Sequence, residues 1–217
     1  MISDLFPKLH EEGYRFLGIA VVATFILLLI SSFLGLISFI ITIWVYYFFR
    51  DPERFPIKDE NYLLSPADGV VSQILEINGP NELSLEKKKY TRVSIFMNAF
   101  NCHVNRIPST GKIDKIFYKT GKFLNASLDK SSEENERNYI KMTNSKGDEL
   151  AIVQIAGLIA RRIVCNVKES DEIKQGNRFG MIRFGSRVDL YFENYQLMVH
   201  TNQKTIAGET ILARKEK

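Results

Sequence analysis

The sequence predicts a mainly β domain, a compact barrel or sandwich, preceded by an α-helical membrane hairpin. Three observations carry that expectation. Residues 16 to 49 contain no charged side chain, and the chain beyond residue 56 breaks into short β-branched or aromatic runs separated by polar or glycine-bearing turns. Near the C-terminus, Glu172-Ile173-Lys174-Gln175-Gly176 followed by Phe179 is echoed by Lys204-Thr205-Ile206-Ala207-Gly208 followed by Ile211.

The expected order is a polar N-terminus over 1–15, a membrane-embedded hairpin over 16–49 and a β domain over 50–217. The uncharged stretch is ~34 residues, or roughly 51 Å as one straight helix, against a hydrocarbon core of about 30 Å. It is too long for one straight span. A break near Ser31-Ser32 and Gly35 divides it into two apolar halves, each slightly short of a full crossing. Tyr14, Arg15 and Phe16 at one end match Trp44, Tyr46, Tyr47 and Arg50 at the other, as interfacial belts on one side. Lys8 and Lys58 are therefore both expected on the cytoplasmic side of the inner membrane. The stretch is too long for a cleaved signal peptide and lacks a small-residue cleavage site.

After Arg50 to Pro56, strands are expected at Val70 to Ile77, Tyr90 to Met97, Lys112 to Tyr118, Tyr139 to Met142, Leu150 to Ile155, Arg162 to Val167, Arg187 to Phe192 and Leu197 to His200. Phe123 to Asn138 reads as a solvated loop. The C-terminal echo resembles the strand-turn-strand pieces of lipoyl and biotinyl domains and supports a barrel or sandwich. No lysine sits at an exposed hairpin tip in the carrier setting.

Composition narrows the partners. A net charge of +4 over 217 residues, with both signs mixed, gives no reason to expect nucleic acid and permits mild attraction to anionic lipid headgroups. Cys102 and Cys165 are too few for a disulfide framework or a metal cluster, so no metal is expected. Cys102 precedes His103, but neighbours on an extended strand face opposite ways, so Cys102 reads as a buried structural thiol.

One dipeptide suggests chemistry. In Phe184-Gly185-Ser186-Arg187-Val188-Asp189, glycine permits backbone geometries closed to other residues, and its missing Cβ lets the Ser186 hydroxyl approach the preceding carbonyl. Such attack needs a base held by a carboxylate. Of His10, His103 and His200, only His103 lies where a strand-like run gives way to polar residues and proline. Asp68, in Ser65-Pro66-Ala67-Asp68-Gly69, is the candidate carboxylate, although Pro and Asp-Gly equally describe a turn.

In this order, Ser65-Pro66-Ala67-Asp68-Gly69, the His103 segment, Ala156-Gly157-Leu158-Ile159-Ala160-Arg161-Arg162 and Phe184-Gly185-Ser186 resemble the short, bacterial and archaeal type of phosphatidylserine decarboxylase over essentially the whole chain. The resemblance implies a proenzyme that cuts itself between Gly185 and Ser186. It leaves a large β chain, 1–185, and a small α chain, 186–217, which remain associated and are compatible with a homo-oligomer. Asp68, His103 and Ser186 would drive the cut, and Ser186 would become a pyruvoyl group, the electron sink for decarboxylating a membrane phospholipid. Larger relatives carry a second histidine where this chain has Arg106, and Leu and Thr where it has Phe184 and Arg187. One of Arg161 and Arg162, alternating on a strand, could meet a substrate phosphate or carboxylate. Two alternatives remain open: a decarboxylase of another serine phospholipid such as an archaetidylserine, and a non-enzymatic membrane-tethered lipoyl-like domain.

Overall fold

The computed structural model describes residues 6–124, 134–157, 162–183 and 186–216. The chain divides into two compact units. One is Met1–Glu53 with Phe100–Cys102, and the other is Arg54–Ala99 with His103–Lys217.

In the first unit, α1 (Gly13–Ile30) and α2 (Ser32–Phe48) form a helical hairpin. The break falls at Ser31, whose backbone is extended (φ −159°, ψ 130°). Small and hydroxylated residues lie between the helices. Thr24 Oγ1 is 2.9 Å from both Ser38 Oγ and Thr42 Oγ1, and a Cβ on Gly35 would sit 2.3 Å from Leu28 Cδ2. Apolar residues such as Ile19, Phe25, Leu29, Phe33 and Ile40 face outward, the reverse of a water-soluble helix pair. Helix α1 is long and apolar enough to cross a membrane. The hairpin closes at its base, where Leu9 bridges Arg50, the Tyr46 hydroxyl donates to Pro7 O (2.6 Å), and Phe16 stacks on Phe49. Two ends of an uncharged stretch thus meet side by side.

The second unit is mainly β, as expected. Its strands are β1 (Tyr62–Leu64), β2 (Gly69–Asn78), β3 (Lys89–Met97), β4 (Val104–Arg106), β5 (Gly111–Lys119), β6 (Arg137–Asn144) and β7 (Glu149–Ala156). They continue as β8 (Ile163–Cys165), β9 (Glu172–Ile173), β10 (Arg178–Ile182), β11 (Ser186–Phe192), β12 (Tyr195–Leu197), β13 (Lys204–Thr205) and β14 (Ile211–Lys215). An eight-stranded antiparallel sheet runs β13-β2-β3-β11-β7-β6-β5-β9, and two three-stranded sheets run β1-β14-β12 and β4-β10-β8. Leu63, Leu212 and Ala213 from one small sheet and Phe179, Ile182 and Ile163 from the other share one core with Val93, Ile95, Ile152, Val188 and Leu190 of the large sheet. Both small sheets therefore pack on one face of the large one.

The sheet orders mirror each other. Reading β1, β2, β3, β11, β12, β13, β14 against β4, β5, β6, β7, β8, β9, β10 matches every strand with a partner of the same pairing. The contacts repeat as well: Leu64 N donates to Pro108 O and Arg106 N to Pro66 O, both at 2.9 Å. Gly208 N donates to Ser65 O and Gly176 N to Ile107 O, both at 2.8 Å. The two echoed glycines have φ of +75° and +78°, which Gly adopts without strain. The C-terminal echo is thus one part of a full internal repeat, the second copy being inserted between β3 and β11 of the first. Ser186 is the residue at which the chain re-enters the first copy.

Two expected boundaries change. The last expected strand lies earlier, at β12, because Tyr195–Leu197 pairs with β14 while Met198–His200 leads into the turn before β13. Arg137 and Asn138, placed in the loop, already belong to β6. Residues 125–133 of that loop lie outside the described residues.

Candidate active site

Ser186 opens β11, where its backbone is paired with Met97 on β3 and Ala156 on β7. Val188, Leu190 and Phe192 enter the core, so the period of two aims Ser186 at the same inner face. Its side chain is fully buried, and its Oγ lies 4.0 Å from Met97 Sδ, its one hydrogen-bond contact among the described residues. Gly185 lies outside the described residues.

His103, also fully buried, immediately precedes β4. Its carbonyl accepts from Ile182 N at 3.4 Å, and Val104 pairs with Met181. The histidine backbone therefore flanks the end of β10, which leads directly into Gly185-Ser186. Asp68 forms the corner before β2, as the turn reading expects. The antiparallel step that sets Leu64 against Pro108 and Arg106 against Pro66 runs on from there toward Asp68 on one strand and toward Val104, the residue after His103, on the other. Gly69 lets the start of β2 lie close against β3, since a Cβ there would lie 2.2 Å from Phe96 O. Register thus collects Asp68, His103 and Ser186 at one end of the large sheet.

The carboxylate of Asp68 is held from two directions. Ala207 N donates to Oδ1 at 2.8 Å and Arg54 Nη2 to Oδ2 at 2.7 Å. The matching corner of the second copy is Thr110, whose Oγ1 accepts from Gln175 N at 3.2 Å. A cleft of about 690 Å³ opens there, between Thr110, Thr143, Asn144 and Glu172. In this mate of the candidate site Thr110 stands for Asp68, Asn61 for His103 and Asp148 for Ser186, so the cleft carries no nucleophile–histidine pair.

Sequence reasoning missed two features. Arg54 sits in Arg50-Asp51-Pro52-Glu53-Arg54, a stretch read as a boundary and as part of the family resemblance, with no role in the site. The other is a chain of buried amides: Asn138 Nδ2 donates to Gln154 Oε1 and Gln154 Nε2 to Asn105 Oδ1, both at 2.9 Å, and Asn105 Nδ2 reaches Met97 Sδ at 3.8 Å. All three amides are at most 1% exposed. The chain ends on the thioether that also touches Ser186, a line of polar groups inside an apolar core that reaches the serine through Met97. Asn105 stands two residues after His103, the spacing that shares a face on an extended chain, and that spacing was the available signal.

Arg162 is exposed and lies just before β8, which begins at Ile163, one residue later than the expected strand. Its carbonyl accepts from Arg183 N at 3.2 Å, which sets its backbone beside the end of β10. Arg161 lies outside the described residues. Cys102 is buried and donates its thiol to Arg50 O, and burial pushes the Cys165 thiol up, away from the thiolate.

A family model described as phosphatidylserine decarboxylase matches residues 41–213. The chain is 63% identical to a phosphatidylserine decarboxylase proenzyme of Pelagibacter ubique over 215 residues, 99% of this chain and 100% of the relative. It is 52% identical to the proenzyme of Ruegeria pomeroyi, over 98% of each chain. Against that of Rickettsia typhi it is 51% identical, over 97% of this chain and 92% of the relative.

Proposed function

The chain belongs to the phosphatidylserine decarboxylase family, and on that premise we propose that it cuts itself at Gly185-Ser186 and then converts phosphatidylserine to phosphatidylethanolamine and CO2. The observation that carries this reading is the burial of Ser186 at the head of β11, at the same sheet end as His103 and Asp68.

In the first stage His103 takes the hydroxyl proton of Ser186 as Oγ adds to the Gly185 carbonyl. The Gly185 C–N bond breaks, the proton returns to nitrogen, and an ester joins Gly185 to Ser186 Oγ. Loss of the Ser186 Cα proton then expels the Gly185 carboxylate. The dehydroalanine left at position 186 takes up water and releases ammonia. Asp68 holds the imidazole oriented and favours its protonated form. Residue 186 fits the resulting pyruvoyl group: it is buried, its strand is paired on both sides, and Met97 Sδ links it to the Asn105 amide chain. When formed, that group supplies a ketone that engages the substrate amine and withdraws electrons as the carboxylate leaves. His103 then returns a proton to the substrate carbon.

The outward apolar faces of α1 and α2 support a hairpin buried in the membrane, with 50–217 on the cytoplasmic side. Intact mass of the purified protein should give two fragments split at Gly185-Ser186, the smaller resisting Edman degradation because its terminus has no amine. A small fragment with a readable N-terminal serine would overturn the cofactor assignment.

A further inference from the structure

We propose that Arg54 is the ligand for the phosphate of the substrate headgroup, an inference that rests on the decarboxylase reading above. Its guanidinium is pinned through one nitrogen, Nη2 to Asp68 Oδ2 at 2.7 Å, with the two side chains 14% and 13% exposed. Asp68 is its one hydrogen-bonding partner among the described residues, which offer no acceptor to the other N–H groups of the fork. A guanidinium held on one edge and open on the other is preorganised for an oxyanion, because its planar donors match two phosphate oxygens at once.

The backbone around it is built to hold that position. Phe55 N donates to Glu209 Oε1 at 2.9 Å. Pro56 covers the left-handed turn at Gly176, with its Cγ 2.7 Å from where a Cβ on that glycine would lie. Residues 54–56 are thus seated on the two echoed turns. The matching corner of the second copy shows that the turn itself does not need this ion pair: Thr110 caps Gln175 N with a neutral hydroxyl. What Asp68 adds over Thr110 is a second oxygen, and that oxygen faces Arg54.

Substrate chemistry places the phosphate in the same region. In a serine phospholipid the phosphate is attached to the serine side-chain oxygen, only a few bonds from the amine. An amine engaged at residue 186 therefore leaves its phosphate at the sheet end that holds Asp68 and Arg54. Inorganic phosphate presents the same oxygens, so the two sources must be separated by experiment.

Wild type, Arg54→Lys and Arg54→Gln are compared as full-length protein. Fragment formation is scored on a denaturing gel, kcat and KM are measured with a short-chain phosphatidylserine, and binding of glycerophosphoethanolamine and of inorganic phosphate is followed by 31P NMR. The expected result is cleavage in Arg54→Lys, a KM raised about tenfold or more in the variants that cleave, a much smaller change in kcat, and weakened glycerophosphoethanolamine binding. That factor corresponds to about 1.4 kcal/mol. An unchanged KM overturns the proposal, as does an effect confined to inorganic phosphate. Failure of both variants to cleave would also overturn it, by assigning Arg54 to Asp68 alone. A wild type that releases no CO2 from phosphatidylserine would instead remove the decarboxylase reading.

Discussion

Asp68 and Thr110 occupy matching corners of the two internal copies, and the pair separates what a turn requires from what the chemistry requires. Each caps the backbone N–H that precedes a left-handed glycine turn. Asp68→Thr should therefore keep the turn and the fold while leaving the Arg54 guanidinium without its carboxylate, a loss of roughly 1 to 3 kcal/mol, yet accumulate uncleaved chain if, as proposed, that carboxylate orients His103. Comparing melting temperature with the band pattern on a gel checks both halves of that expectation, and normal cleavage in Asp68→Thr would return Asp68 to a turn role. Ser186→Ala should abolish cleavage and decarboxylation together, since no hydroxyl remains to form the ester.

At the level of elements, the position of β11 decides what a cut at residue 185 can do. The strand lies inside the large sheet with β3 on one side and β7 on the other, so the 186–217 fragment would contribute a central strand as well as β12, β13 and β14. Asp148 of the large fragment adds a polar tie. It receives Lys215 Nζ at 2.6 Å and the Tyr195 hydroxyl at 2.7 Å, both from the small fragment, and Asn144 Nδ2 at 3.2 Å. Burial alone would raise its carboxyl, but hydrogen bonds from Lys215, Tyr195 and Asn144 outweigh burial and hold it below the usual carboxylate range. A depressed folded-state value means the stabilisation is fully present above the unfolded value of about 3.9 and is lost as pH falls through the folded one. Asp148→Asn should be roughly 1 to 3 kcal/mol less stable than wild type at pH 7, and the gap should narrow as the pH falls below about 3.9. Urea unfolding at several pH values measures this; a gap independent of pH would mean the charge contributes nothing. The fragments should stay together on gel filtration until the fold itself is lost.

The same elements show what could be read in the sequence. Strands with long apolar alternation, such as β3 and β11, were legible because their own residues carry the pattern. The short strands β1 and β4 were not, since three residues leave no period and their pairing comes from distant partners, while β9, β10, β13 and β14 showed only through the echoed strand-turn-strand pieces. Glycine spacing exposed only the C-terminal part of the repeat, because the insertion of one copy into the other hides the remainder. In the site, Ser186, His103 and Asp68 emerged through ordered motifs. Arg54 and Gln154 did not, as their relevance comes from tertiary contacts with Asp68 and Asn105.

For the whole molecule the question is where the β unit stands relative to the lipid. The hairpin returns on itself: Lys8 Nζ lies 3.4 Å from Glu53 Oε1, and Asp51 N donates to Lys8 O at 2.6 Å. Between those points α1, 18 residues long, reaches about 27 Å, close to the hydrocarbon thickness of about 30 Å. On the proposed hairpin topology the chain enters and leaves by the same face, so both flanks share one compartment, the proposed cytoplasmic one. Single cysteines at Lys8 and Glu53, in a chain whose Cys102 and Cys165 are replaced by Ser and Ala, should both be shielded from an impermeant thiol reagent in sealed cells and both react in inverted vesicles. Reaction of the two from opposite sides would require one tilted span and would separate ends that the hairpin holds together.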